Sequence, residues 1–409
     1  MRIGAFCLLL FLGASAAHAA ADKQAFEEIA RGRYLAIVGD CAGCHNARGG
    51  APYAGGLPIE TPFGILVSPN ITPDRETGIG AWTDDEFVRA MQDGIGRGGE
   101  HLYPAMPYTY YTKATREDVL AIRAYLETVD AVHNEVKTNQ LSFPFDIRAS
   151  MAGWNELYFK RGAFVPVAGK SDEWNRGAYL VEGLGHCGLC HTPKNAMGGD
   201  ETARALQGAA LQGWYAPNLT EDLRTGLGHW SVEEVLGYLK TGHNNASAAT
   251  GPMSDVIVHS TSQMTDADLR AIAVYLKDQR APSGESPKPV SGEDRMMRAG
   301  EAVYLDNCAA CHTGAGSGIP QLFPALKNSP SVQSADPANL IRVVLRGAQS
   351  VATDAAPTGP AMPVLGWKLS DDEVAAVVTY IRNSWGNAAS PVSASDVADA
   401  RQQLSRRTD

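Results

Sequence analysis

The sequence is poor in positive charge, in cysteine and in long apolar runs, and each shortage excludes something. Lysine and arginine number 35 against 45 aspartates and glutamates in 409 residues, a net charge of -10. That balance offers no electrostatic footprint for nucleic acid or an anionic lipid surface. Beyond the first twenty residues, no stretch is long and apolar enough to cross a bilayer, which takes about 20 residues. A multi-span membrane protein is thereby excluded. The composition, 44% hydrophobic and 20% charged, also excludes disorder and collagen. At ordinary domain sizes the length accommodates two to four domains.

Cysteines number seven, and an odd count in an exported protein leaves one thiol over. The N-terminus resolves it. Arg2 supplies a positive start, Ile3 to Ala14 are almost entirely apolar, and Ala17-His18-Ala19 is a small-x-small cleavage site. Cleavage after Ala19 removes Cys7. The mature chain then lies outside a bacterial-type inner membrane, where disulfides are permitted.

The six remaining cysteines fall into three identical arrangements: Cys41-Ala-Gly-Cys44-His45, Cys187-Gly-Leu-Cys190-His191 and Cys308-Ala-Ala-Cys311-His312. This spacing is that of c-type haem attachment. Two thiols a helical turn apart meet the two vinyl groups of one porphyrin edge, and the adjacent imidazole becomes the proximal iron ligand. Zinc would need two such pairs brought together, yet each pair already carries its own histidine. A thioredoxin-like dithiol has no reason to recur three times with a histidine attached. The cofactors implied are three haems c.

Self-similarity extends past the motif, the mark of repeated supersecondary units. Ahead of each lies a helical pattern with a tyrosine: Gly32-Arg33-Tyr34-Leu35, Gly177-Ala178-Tyr179-Leu180 and Ala302-Val303-Tyr304-Leu305. Each repeat closes with an amphipathic helix opening on Thr115, Thr265 or Ser370, with an acid three residues later, a helix-start signature. Tyr125, Tyr275 and Tyr380 in these helices are expected to pack on the N-terminal helix and the haem edge. Pro69-Asn70-Ile71-Thr72 through Trp82 matches Pro217-Asn218-Leu219-Thr220 through Trp230, while the third repeat has Phe323-Pro324-Ala325-Leu326 instead. Trp82 and Trp230 are expected to be core residues.

A haem that transfers electrons needs a sixth ligand, and a thioether raises its potential relative to a second imidazole. Met106, Met253 and Met362 stand 61, 62 and 50 residues after His45, His191 and His312, each beside a proline. Proline disfavours helix, so these methionines are expected on extended loops. Met264 competes for the second haem, and His101, His243 and His259 compete as imidazole ligands. Met91, Met151, Met197, Met296 and Met297 read as packing or surface residues.

These residues resemble the tri-haem cytochrome c subunits of bacterial membrane-associated dehydrogenases, which oxidise alcohols, gluconate, sorbitol, fructose, glucose or aldehydes. The similarity rests on the three motifs together with Gly56-Leu-Pro-Ile-Glu-Thr-Pro-Phe-Gly64, His101-Leu-Tyr-Pro-Ala-Met-Pro-Tyr108, Trp174 to Cys187, and Gly366-Trp-Lys-Leu-Ser370 with Tyr380 to Trp385. It implies an all-α chain of three tandem class I cytochrome c domains. His45 with Met106, His191 with Met253, and His312 with Met362 would be the axial pairs. It further implies electron transfer from a dehydrogenase catalytic subunit to membrane ubiquinone or a terminal oxidase or cytochrome acceptor. A flavin-bearing catalytic subunit is preferred on resemblance alone, with quinone or molybdenum as alternatives.

The organisation expected is a signal peptide over 1–19, cytochrome c domains over 20–132, 171–281 and 295–389, an aromatic-rich segment over 133–170, a linker over 282–294 and a polar tail over 390–409. The aromatic segment is read as packing across two domains, with an exposed docking patch as the sharper alternative. The polar tail offers no hydrophobic membrane anchor, so the expected location is periplasmic and peripheral on the inner membrane. No catalytic residue is assigned. Rival readings are a free-standing periplasmic electron shuttle and a haem peroxidase with an open sixth position.

Overall fold

Around each of the three motifs, one helix before it and one helix well after it cross at a glycine. The computed structural model describes residues 24–282 and 286–405. The expected signal segment, with Cys7 and its cleavage site, lies outside the described residues, as do Ser283, Gly284 and Glu285 of the expected linker. The chain divides into two compact units between Phe164 and Val165. The first holds one Cys-x-x-Cys-His motif and the second holds two.

In the first unit, residues 24–38 form α1 and Cys41–His45 form α2. A hairpin of β1 (Pro58–Thr61) and β2 (Gly64–Val67) follows, and β3 (Gln140–Leu141) adds to β2 with Gly64 opposite Leu141. Helices α3 (Asp84–Asp93), α4 (Tyr108–Tyr111) and α5 (Arg116–Leu126) complete the repeat. Thr83 and Glu86 form a reciprocal capping box at the start of α3. Gly32 of α1 lies so close to α5 that a Cβ there would overlap the Ala121 carbonyl oxygen. Beside this crossing Arg31 pairs with the buried Asp118 at 2.5 Å.

The aromatic-rich segment contributes α6 (Met151–Tyr158). Met151 and Trp154 are buried against Tyr108, with Met106 and Phe159 packed on the same cluster. The Tyr108 hydroxyl donates to Asn155 Oδ1 at 2.6 Å. Trp154 is therefore a core residue of the first unit rather than part of an exposed patch. The apolar exposure in this segment is greatest at Phe143, Val165 and Leu157, 80%, 76% and 75% exposed, with Ile147 and Val167 about half exposed.

The second unit begins with α7 (Asp172–Glu182), α8 (Gly188–His191), a hairpin of β4 (Ala209–Leu211) and β5 (Trp214–Ala216), α9 (Val232–Thr241), α10 (Pro252–His259) and α11 (Asp266–Leu276). It continues with α12 (Arg295–Asn307), α13 (Ala309–His312), α14 (Ala338–Arg346), the pair β6 (Ala348–Gln349) and β7 (Ala361–Met362), α15 (Asp371–Asn383) and α16 (Ala394–Ser405). The glycine crossing recurs twice. A Cβ on Gly177 would overlap the Ala271 carbonyl, and one on Gly300 the Ala376 carbonyl. At each of the three crossings a further close contact is the Cβ of Tyr125, Tyr275 or Tyr380, which is the expected packing on the preceding helix. Arg176 repeats the pairing of Arg31, its Nε and Nη2 donating to the two carboxylate oxygens of Asp268, each at 2.8 Å. The third crossing lacks this ion pair, for Ala299 stands before Gly300.

Among the described residues the fold is mainly helical with three small antiparallel sheets, so the all-α expectation holds for its bulk. Two readings of the sequence need correction. Tyr304 lies four residues after its crossing glycine, whereas Tyr34 and Tyr179 lie two after theirs, so the three tyrosines do not share a position. The expected polar tail is largely the helix α16. Val397 and Leu404 are buried on the third repeat, and Arg401 donates to Asp371 and to the carbonyls of Gly366 and Leu369.

The second and third repeats meet within this unit. Asn339 makes a reciprocal pair with the backbone of Tyr215, its Oδ1 accepting at 2.8 Å and its Nδ2 donating at 2.7 Å. Arg224 donates to the Gln333 carbonyl at 2.8 Å.

Candidate functional site

Among the described residues no disulfide joins any of the six motif cysteines. In each motif the second cysteine and the histidine share one short helix: α2 for Cys44 and His45, α8 for Cys190 and His191, α13 for Cys311 and His312. Cys187 and Cys308 sit at the N-caps of α8 and α13, while Cys41 opens α2. Lost hydration pushes the Cys41 and Cys187 thiols up to about 12 and Cys308 to about 11. A redox dithiol needs the opposite shift, toward thiolate.

The histidines carry the sharper geometry. His45 Nδ1 lies 2.7 Å from the Pro69 carbonyl oxygen, His191 Nδ1 lies 2.7 Å from that of Pro217, and His312 Nδ1 lies 3.1 Å from that of Pro324. A carbonyl only accepts, so each Nδ1 carries the proton and each Nε2 keeps its lone pair. Such a partner behind an imidazole fixes ring orientation and raises basicity toward a metal. Burial lowers the pKa of all three against the opposing effect of the carbonyl, so the rings are neutral. A neutral imidazole is the ligating form.

The matched middle segments hold those carbonyls in place. Asn70 Oδ1 accepts from the backbone and hydroxyl of Thr72 at 2.9 and 2.8 Å, and Asn70 Nδ2 donates to Thr77 Oγ1 at 3.0 Å. Asn218 repeats this with Thr220 at 2.9 and 2.7 Å and with Thr225 at 3.1 Å. The sequence displays both blocks without marking their opening prolines as functional, because the acting atom is a backbone carbonyl. In the third repeat, a bridge between Ile319 and Phe323 shapes the loop that presents Pro324.

The methionines do not share one backbone setting. Met106 occupies a turn, its N–H bonded to the Tyr103 carbonyl. Met253 lies in the first turn of α10, correcting the expected extended loop. Pro252 starts that helix, where its fixed φ suits the first position and its missing N–H costs nothing. Met362 lies on β7 opposite Ala348. Met264 is buried beside the start of α11, its carbonyl accepting from Lys240 Nζ at 2.8 Å. His101 Nδ1 lies 3.4 Å from Asn155 Nδ2. The Nδ1 atoms of His243 and His259 are buried without a hydrogen-bond partner. Trp230 is core, in tilted contact with Tyr238 at 5.4 Å between ring centres, and Trp82 is half-buried with its carbonyl accepting from Arg123.

Two cysteine side chains and a neutral imidazole presented from one helical turn fit a porphyrin carrying two vinyl groups and an iron. Comparison with known proteins points the same way. A cytochrome c family profile matches residues 29–130 and 297–385, leaving the second motif outside both stretches. The gluconate 2-dehydrogenase cytochrome c subunit of Pantoea cypripedii is 41% identical over 417 residues, covering 97% of this chain and 94% of that one. The cytochrome c subunit of a quinone alcohol dehydrogenase from Gluconobacter oxydans is 39% identical, covering 98% and 87%. The fructose dehydrogenase cytochrome subunit of Gluconobacter japonicus is 37% identical, covering 91% and 82%. With this identity sustained along nearly its whole length, the chain belongs to the family of cytochrome c subunits of gluconate, alcohol and fructose dehydrogenases.

Proposed function

We propose that this chain carries three covalently attached haems c and passes electrons from a dehydrogenase catalytic subunit to membrane ubiquinone or to a terminal oxidase or cytochrome acceptor. The observation that carries the reading is the threefold recurrence of one arrangement, an imidazole Nδ1 bonded to a proline carbonyl directly behind a Cys-x-x-Cys pair. Three such settings support three cytochrome c domains, over 20–132, 171–281 and 295–389, and the three glycine crossings support the same count.

When bound, haem supplies a one-electron iron couple. The chain's own residues do the rest. Cys41 and Cys44, Cys187 and Cys190, and Cys308 and Cys311 would form the thioether bonds. His45, His191 and His312 would hold the iron through Nε2, and Met106, Met253 and Met362 would hold it through sulfur. The substrate is oxidised on a separate polypeptide, for which a flavin-bearing subunit is preferred, with quinone or molybdenum as alternatives. Export by the N-terminal signal would place the chain in the periplasm, where haem is attached. Among the described residues no helix is long and apolar enough to cross a membrane, and the proposed membrane association is peripheral.

The test is a haem count on the purified protein by intact mass and by pyridine haemochrome. Three haems per chain are expected, and two or fewer would overturn the reading. Carbon monoxide binding to the reduced protein at one iron would favour the peroxidase alternative. Purification without any catalytic subunit from the native host would favour the free shuttle. The buried, unpartnered Nδ1 atoms of His243 and His259 favour a second reading in which an imidazole replaces Met253. A missing methionine-to-iron band for the second haem would select it.

A further inference from the structure

Three helices end on a glycine of positive φ ahead of a proposed methionine ligand: Gly94 after α3, Gly242 after α9 and Gly347 after α14, at 65°, 82° and 71°. The hollow left by each absent Cβ is filled, though not by equivalent residues. At Gly94 the filler is the ring of Tyr108, two residues beyond Met106, 2.6 Å from where a Cβ would stand. At Gly347 it is the backbone of Met362 itself, whose carbonyl oxygen lies 2.6 Å from that position. The second repeat has no counterpart, because two residues beyond Met253 stands the exposed Asp255. Its hollow is filled by Val351 of the third repeat, whose Cγ1 would overlap a Cβ on Gly242.

Val351 is buried in a cluster with Ala249 and Ile257 of the second repeat, and Met253 packs against that cluster. A second contact reaches the same loop. Gly251, two residues before Met253, lies against the indole of Trp214, whose nearest atoms are 2.5 Å from where a Cβ on that glycine would stand. The guanidinium of the buried Arg342, on α14 of the third repeat, lies 4.3 Å from the centre of that indole.

We propose that the third repeat completes the methionine site of the second, with Val351 and Arg342 as positioning residues for Met253; this rests on Met253 being an iron ligand. A long, unbranched thioether is flexible, and only a packed wall keeps its sulfur in one place. Loosening that wall lets the sulfur leave, which lowers the potential of the haem it serves. The buried guanidinium adds a positive charge in a poorly screened setting, which favours the reduced over the oxidised iron. The second repeat is on this view not a self-sufficient electron carrier.

The experiment uses the full-length holoprotein with Val351→Ala, Val351→Ile, Arg342→Gln and Met253→Ala. The readouts are the three midpoint potentials from a redox titration and the ligand-methyl signals of the reduced protein by proton NMR. Val351→Ala and Arg342→Gln should each lower one midpoint and move one methionine signal, the same one that Met253→Ala abolishes. Val351→Ile, which keeps the hollow filled, should leave both in place. The proposal is overturned if Met253→Ala abolishes one signal while Val351→Ala and Arg342→Gln leave every midpoint and every signal in place. If Met253→Ala abolishes none, the ligand assignment falls and this inference falls with it. Should Val351→Ala reduce the haem count, Arg342→Gln, which opens no cavity at the methionine, decides alone.

Discussion

Asn70 holds the loop whose first residue, Pro69, turns its carbonyl onto His45: the asparagine's Oδ1 receives both donors of Thr72, and its Nδ2 reaches Thr77 and the Val132 carbonyl. The imidazole's orientation is therefore set two steps away, by a buried amide that touches neither the ring nor the thiols. Asn70→Ala should leave several buried groups unpartnered, at about 1–3 kcal/mol each before relaxation. The measurable outcome is a lower unfolding temperature with a downward shift in one haem potential. Asn218→Ala should shift a different haem. Two variants moving the same potential, or neither moving any, would sink the account.

The methionine assignments predict a pattern rather than a single loss. Met106→Ala, Met253→Ala and Met362→Ala should each remove part of the near-infrared methionine-to-iron band and lower one potential. The check is the band's intensity in the three oxidised variants. An undiminished band in all three would discard the set.

Gly177→Ala places a methyl group on the Ala271 carbonyl where two helices touch backbone to backbone. Overpacking of this kind costs about 1–3 kcal/mol, occasionally more. The helices must separate, and thermal unfolding of the second unit should fall by several degrees. An unchanged melting curve would mean that the crossing does not bear on stability.

Trp154→Ala tests whether the segment after the first repeat is core or docking surface. Its indole is buried against Tyr108 and Met151, so truncation should cost about 3–5 kcal/mol of first-unit stability. Association with a catalytic subunit should be unaffected, whereas Leu157→Asp, on an exposed side chain, should leave stability nearly unchanged. Lost association with retained stability in Trp154→Ala would reverse the assignment.

The helix starts were legible because capping is local chemistry. Thr115, Thr265 and Ser370 each accept from the N–H three residues on, as their spacing predicts. Of these three, Ser370 has the full reciprocal box, with Glu373; the shorter Asp118 and Asp268 are taken instead by Arg31 and Arg176 across the crossing. The thiols and imidazoles were legible for the same reason, since five consecutive residues specify them. What stayed hidden depends on distant partners or on backbone atoms. A proline carbonyl has no side-chain signature. Helix α16 reads as polar because two buried apolar residues, Val397 and Leu404, and the hydrogen bonds of Arg401 suffice to dock it. Val351 looks like any loop valine until the neighbouring repeat supplies a hollow for it.

The glycine crossings join residues far apart in the chain, Gly32 with Ala121, Gly177 with Ala271 and Gly300 with Ala376. Contacts of such separation pay their loop-closure entropy before they return any stabilisation, so they close late. Each Cys-x-x-Cys-His segment lies just behind the first helix of its pair and precedes the second by tens of residues. Were the chain exported and haem-bearing as proposed, each thiol pair would emerge before its closing helix, and the porphyrin would be wrapped by the fold instead of being inserted into it.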